Sequence, residues 1–168
     1  MANTYTLIAS STVGAGGAAS IDFTSIPSTY TDLLVKLSGR SNTAAVDENL
    51  YIKLNNSSTS FTFRYLQGNG SSAYSSTASL NYIGTIPAAN ATASTFGNAE
   101  AYLPNYAGST NKSISNDTVA ENNATSAAAT LTATLWSNTT AINQVTLLPA
   151  SGSFVQYSTA YLYGVKNA

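Results

Sequence analysis

"SFVQYSTAYLYGVKNA", residues 153–168, decides how the rest of the chain is read. Taken every second residue, Val155, Tyr157, Thr159, Tyr161, Tyr163 and Val165 form one row, and Phe154, Gln156, Ser158, Ala160, Leu162 and Gly164 form the other. Side chains that alternate in this way belong to an extended strand, in which successive Cβ atoms point to opposite faces. If that strand pairs centrally, one row packs into the interior and the tyrosine row faces a second sheet or a neighbouring subunit. Gly164 then permits a close backbone approach or a bulge.

The same two-residue period recurs along the chain, and a helical period does not. In "TDLLVKLSGR" Leu33, Val35 and Leu37 oppose Leu34, Lys36 and Ser38; in "NLYIKLN" Leu50, Ile52 and Leu54 point inward against Tyr51 and Lys53. "SFTFRYLQG" sets Phe61, Phe63 and Tyr65 against Thr62, Arg64 and Leu66. "LTATLWS" sets Leu131, Ala133 and Leu135 against Thr132, Thr134 and Trp136, so Trp136, on the threonine side, is expected to be partly exposed. Further strands are predicted at 5–11, 19–23, 80–86, 95–103, 112–119 and 142–148. Turn chemistry separates them: "GAGG" at 14–17, "NNSS" at 55–58, "GNGSS" at 68–72 and "PNYAGS" at 104–109. Alanines 127–129 have high helix propensity, but the threonine alternation that follows favours strand there. About ten short strands with such punctuation predict a single all-β domain over residues 1–168, an antiparallel sandwich of jelly-roll type.

Composition narrows the function. The chain has 168 residues, 43% hydrophobic and only 8% charged, where a charged share of about 25% is usual. Net charge is −1 and the basic residues are scattered, so no basic field exists to displace counterions from a nucleic acid. The stretch "MANTYTLIAS" lacks a basic n-region and a signal-length apolar run, and no later run is long enough to span a membrane. The expectation is synthesis in the cytoplasm with no membrane partner. Eight Asn-X-Ser/Thr triplets are read as a by-product of an Asn-, Ser- and Thr-rich chain.

Chemistry is constrained most by what is missing. There is no histidine and no cysteine, which removes Ser–His and Cys–His nucleophiles, thiolate metal sites and disulfides together. A carboxylate pair of the glycosidase kind remains, with Asp22, Asp32, Asp47, Glu48, Glu100, Asp117 and Glu121 as candidates. Asp47 and Glu48 are adjacent and would point to opposite faces of a strand. "SNDTVAENN" offers Asn116, Asp117, Glu121 and Asn122 as oxygen ligands for calcium, but it lacks the dense spacing of an EF-hand loop, and a polar turn between strands is the favoured reading. "VGAGG" at 13–17 has the look of a phosphate cradle, but a strand follows it in place of the helix a cradle needs, so a hairpin turn is predicted. The reading is therefore non-enzymatic, with no cofactor and no metal. Eleven tyrosines and Trp136 leave a sugar platform open beside a core or interface role.

Two stretches carry a resemblance beyond composition. "ASIDFTSIPSTYTDLLVKLSGRSN", 19–42, and "GSFVQYSTAYLYGVKN", 152–167, together resemble a group of small bacteriophage virion proteins. In that group a strand of type I-x-F-x-x-I-P, then Y-x-D-L leading into an apolar strand and an Arg, pairs with a terminal L-Y-G-I-like strand. The matching positions are Ile21, Phe23, Ile26, Pro27, Tyr30, Asp32, Leu33 and Arg40, then Leu162, Tyr163, Gly164 and Val165, where Val replaces the more usual Ile. The match covers about a quarter of the chain.

The resemblance implies a shared β-sandwich and a place on the virion surface, with no catalytic residue. Its first expectation is a capsid decoration or cement protein that docks on the major capsid protein as a homo-oligomer, with a trimer as first guess. The alternative is a receptor- or carbohydrate-binding module of a tail fibre or spike. Tyr157, Tyr161, Tyr163 and Trp136 are the candidate assembly-interface or core residues.

Overall fold

A computed structural model describes residues 4–123 and 126–166. Twelve strands form two antiparallel sheets: β1 (Tyr5–Thr12), β2 (Ile21–Phe23), β3 (Asp32–Gly39), β4 (Asp47–Leu54), β5 (Phe61–Gly68), β6 (Ala73–Ala78), β7 (Tyr82–Pro87), β8 (Gly97–Leu103), β9 (Lys112–Val119), β10 (Ala129–Trp136), β11 (Val145–Pro149) and β12 (Thr159–Val165). The large sheet runs β1-β12-β3-β8-β9-β10-β5-β6 and the small one β2-β11-β4-β7. The predicted all-β sandwich is what forms, with layers of unequal width and twelve strands in place of ten.

β6 has no counterpart in the sequence reading. "AYSSTA" carries no apolar alternation because it is an edge strand exposed along nearly its whole length. The "VGAGG" segment is a turn, closed by Gly17 N–H donating to Gly14 O at 3.0 Å. It joins strands of different sheets, however, so it is a crossing between layers and not a hairpin.

The core lies where the two layers overlap. Leu50, Ile52 and Leu54 of β4, with Ile21, Phe23, Val145 and Leu147, meet Leu33, Val35, Leu37, Ala101, Leu103, Ile114, Ala160 and Leu162 of the large sheet, all within one buried cluster. Each such aliphatic side chain contributes about 1.5–3 kcal/mol by leaving water.

The stretches 19–42 and 152–167 meet directly. β12 lies between β1 and β3, with Leu33 opposite Gly164 and Leu34 opposite Tyr163. A Cβ on Gly164 would stand 2.3 Å from the Tyr30 ring, so glycine is required for that ring to lie on the strand. Asp32 opens β3 as a cap, accepting the Asn105 N–H at 2.7 Å and the Tyr102 hydroxyl at 2.5 Å. Pro27 follows β2, and its carbonyl accepts the Tyr106 hydroxyl.

The C-terminal strand is shorter than its sequence pattern. It begins at Thr159; Phe154 only bridges to Ala18 and Ser41, and Tyr157 stands in a turn at φ 72°. The inward row is Ala160, Leu162 and Gly164, while Tyr161 and Tyr163 face outward.

β10 corrects a sequence expectation. Thr130, Thr132, Thr134 and Trp136 are the buried row, and Trp136 is 1% exposed. It stacks on its cross-strand neighbour Phe61 with centroids 5.9 Å apart. The threonines face inward because β7 presses on this part of the large sheet: Thr134 Oγ1 donates to Tyr82 O at 2.9 Å, and Thr118 Oγ1 accepts the Thr85 N–H at 3.2 Å. Gly84, at φ 147°, makes this possible, since a Cβ there would fall 2.2 Å from Thr118.

Candidate functional site

With the threonines of β10 turned inward, its leucines must face out. Leu131 is 61% exposed and lies directly opposite Leu66 of β5, which is 58% exposed. Val119, Ala129, Ala133 and Leu135 extend the same outer face across β9 and β10. A shallow depression of about 390 Å³ between Leu66, Leu131, Val119 and Ala129 marks its centre. The face is open, and its apolar stripe is bordered by Asp117 opposite Leu131 and by Arg64 opposite Ala133.

Toward the other edge the outer face changes character. Across β3, β8 and β9 run Lys36, Glu100 and Asp117 in register. Lys36 Nζ pairs with Glu100 at 2.6 Å, which raises the lysine's pKa, while partial burial followed by repulsion from Glu100 pushes the Asp117 carboxyl up. Beyond them stand Tyr161 and Tyr163, stacked at 6.4 Å, and the exposed Tyr5 and Leu7 of β1. Of the four predicted interface or core residues, the structure thus sends Trp136 to the core and leaves Tyr157, Tyr161 and Tyr163 outside it.

A second concave feature comes from the mismatch of the layers. β7, the edge of the small sheet, packs on β8, β9 and β10, so β5 and β6 lie beyond it. Between that overhang and the β4–β7 edge is a cleft of about 340 Å³. Its aromatic side is Phe63, Tyr65 and Tyr82, with centroids 4.8 to 5.8 Å apart; Asp47, Asn49, Gln67 and Thr85 supply polar groups.

Among the candidate carboxylates, Glu100 and Asp117 are cross-strand neighbours on β8 and β9. Asp47 accepts the Ser126 hydroxyl at 3.0 Å, whereas Glu48 turns to Ser151 at 2.5 Å, so the adjacent pair splits as expected. Glu100 is held by Lys36. The calcium ligand set does not converge either: Asn116 is buried in the interior while Asp117, its neighbour on β9, faces out. Among the described residues no group of three or more acidic side chains is placed to share a metal ion, and no helix is long and apolar enough to cross a membrane.

Two cations serve the scaffold. The Arg40 guanidinium donates to the carbonyls of Ala89, Ala91, Thr92 and Thr95 at 2.7–3.2 Å. Lys112 donates to Gly108 O at 2.7 Å and to Thr110 O, and burial lowers its pKa. The Arg40 of the sequence motif is thereby a loop anchor.

The residues that sequence reasoning left out of any site are Leu66, Leu131, Val119, Asn49 and Tyr65. One signal was available for the first two: Trp136, the largest side chain of its strand, is in phase with the threonines and marks their row as the buried one. No protein-family model matches the chain, and no curated protein matches it either.

Proposed function

We propose that this chain is a non-enzymatic structural protein of a bacteriophage particle, a decoration or cement protein bound to the head surface through the outer face of its large sheet. The observation that carries the reading is the inversion of β10. A strand that buries threonine and exposes leucine forgoes about 1.5–3 kcal/mol of burial for each leucine left outside. A covering partner restores that burial, and contiguous exposed apolar surface is characteristic of interaction sites.

The resemblance of 19–42 and 152–167 to small phage virion proteins supports the same reading, and the major capsid protein is the partner it favours. The scarcity of charge suits a fixed contact, because docking through apolar contact is little affected by salt screening. A homotrimer is the accompanying expectation, and sedimentation equilibrium supplies the number.

The test is saturation binding of the purified chain to undecorated head shells. The double variant Leu66→Ser/Leu131→Ser is expected to lose most of the occupancy while keeping its fold. Full occupancy by that variant contradicts the reading. A receptor- or carbohydrate-binding module of a tail fibre or spike is the second reading, and the aromatic cleft beside β7 is the observation that favours it.

A further inference from the structure

We infer that the cleft between the β5–β6 overhang and the β4–β7 edge is a binding site for a neutral saccharide. The inference stands apart from the docking face, which lies on the opposite side of β5: Phe63, Tyr65 and Gln67 alternate with Leu66 along that strand.

Shape comes first. At about 340 Å³ the cleft falls at the small end of ligand sites, which span roughly 300–1,000 Å³. It exists because the wide sheet continues past the narrow one, so that β5 and β6 extend beyond the β7 edge. Tyr65 is the partly exposed aromatic of the wall, with Phe63 and Tyr82 buried beside it, and the half-buried Tyr51 of β4 lines the cleft as well. Aromatic faces beside open space are stacking surfaces for the apolar C–H face of a sugar ring.

The polar complement is the second argument. Asn49 and Gln67 each provide an amide donor and acceptor, Ser76 a hydroxyl, and Asp47 a carboxylate acceptor. Such a set matches vicinal hydroxyls.

Charge selects among ligands. Asp47 is the one charged side chain of the lining, so sialylated, sulfated or phosphorylated sugars are disfavoured. With a single carboxylate in the lining, the cleft holds a sugar without the paired acid and base or nucleophile that hydrolysis requires.

The experiment is a glycan array probed with the full chain, followed by titration of the strongest neutral saccharide by calorimetry, with choline chloride titrated in parallel. The expected result is retention of neutral glycans and an affinity roughly tenfold or more weaker for both Tyr65→Ala and Asn49→Ala. Asn49 is exposed, so its variant keeps the test valid if Tyr65→Ala unfolds. Leu131→Ser is expected to bind as the parent does, which separates this site from the docking face. Retention of acidic glycans alone, binding of choline in place of sugar, no retention at all, or unchanged affinity in Asn49→Ala would each overturn the inference.

Discussion

Arg40 shows how a chain with so few charges uses them. The residue is 8% exposed and its guanidinium meets four backbone carbonyls, so one side chain fixes the segment between β7 and β8. Arg40→Met is expected to lower unfolding free energy by about 2–4 kcal/mol in urea titrations, because acceptors desolvated by the fold lose their donor. Gly84→Ala should cost about 1–3 kcal/mol for a different reason, the lack of room against Thr118 at a positive φ.

Tyr102 gives the residue scale a pH signature. Its hydrogen bond to Asp32, with burial second, pushes its phenol up to about 12, against about 10 in an unfolded chain. Between those values the unfolded chain releases a proton that the folded one retains, so stability is fully present below about pH 10 and falls as pH rises toward 12. Burial pushes Tyr82 in the same direction. Urea midpoints across this window should fall, and Tyr102→Phe should remove part of the fall; a midpoint that is flat with pH contradicts the assignment.

At the scale of the element, β10 makes the sharpest prediction, since two threonines on one buried face should respond with opposite sign. Thr134 Oγ1 donates to Tyr82 O at 2.9 Å and accepts from Asn116 Nδ2 at 3.0 Å, so Thr134→Val should cost about 1–3 kcal/mol. Thr132 Oγ1 has no partner, and Thr132→Val should be neutral or slightly stabilising. Equal losses at both positions, measured by thermal or urea unfolding, would refute the inverted orientation. The alternation of β10 was legible in the sequence, but not which row faces inward: leucine outranks threonine on any hydrophobic scale, and only Trp136 argued the other way. β6 escaped for a related reason, since a strand exposed on an edge has no pattern to show. β3, β4 and β9 were legible because their buried rows are apolar or their turns are well marked.

For the molecule as a whole, the unequal layers organise both proposed surfaces. Four strands cannot cover eight, so part of the large sheet's inner face opens as the cleft, while its outer face carries the leucines. Sequence showed the sandwich, because period-two patterning and turn residues are local, whereas the meeting of the two motif stretches was implied by the resemblance alone. The leucine face and the cleft depend on cross-strand register and on where one sheet ends over another, which no local pattern encodes. The proposed docking also predicts that Leu66→Ser and Leu131→Ser change unfolding free energy by no more than about 0.5 kcal/mol, since both side chains are already in water.

The most direct test of that docking is cryo-electron microscopy of intact phage particles that carry the chain. The account predicts copies at regular positions on the head lattice, with Leu66, Leu131 and Val119 buried against the major capsid protein. Density confined to the tail, or head-bound copies whose leucine face points to solvent, would contradict it.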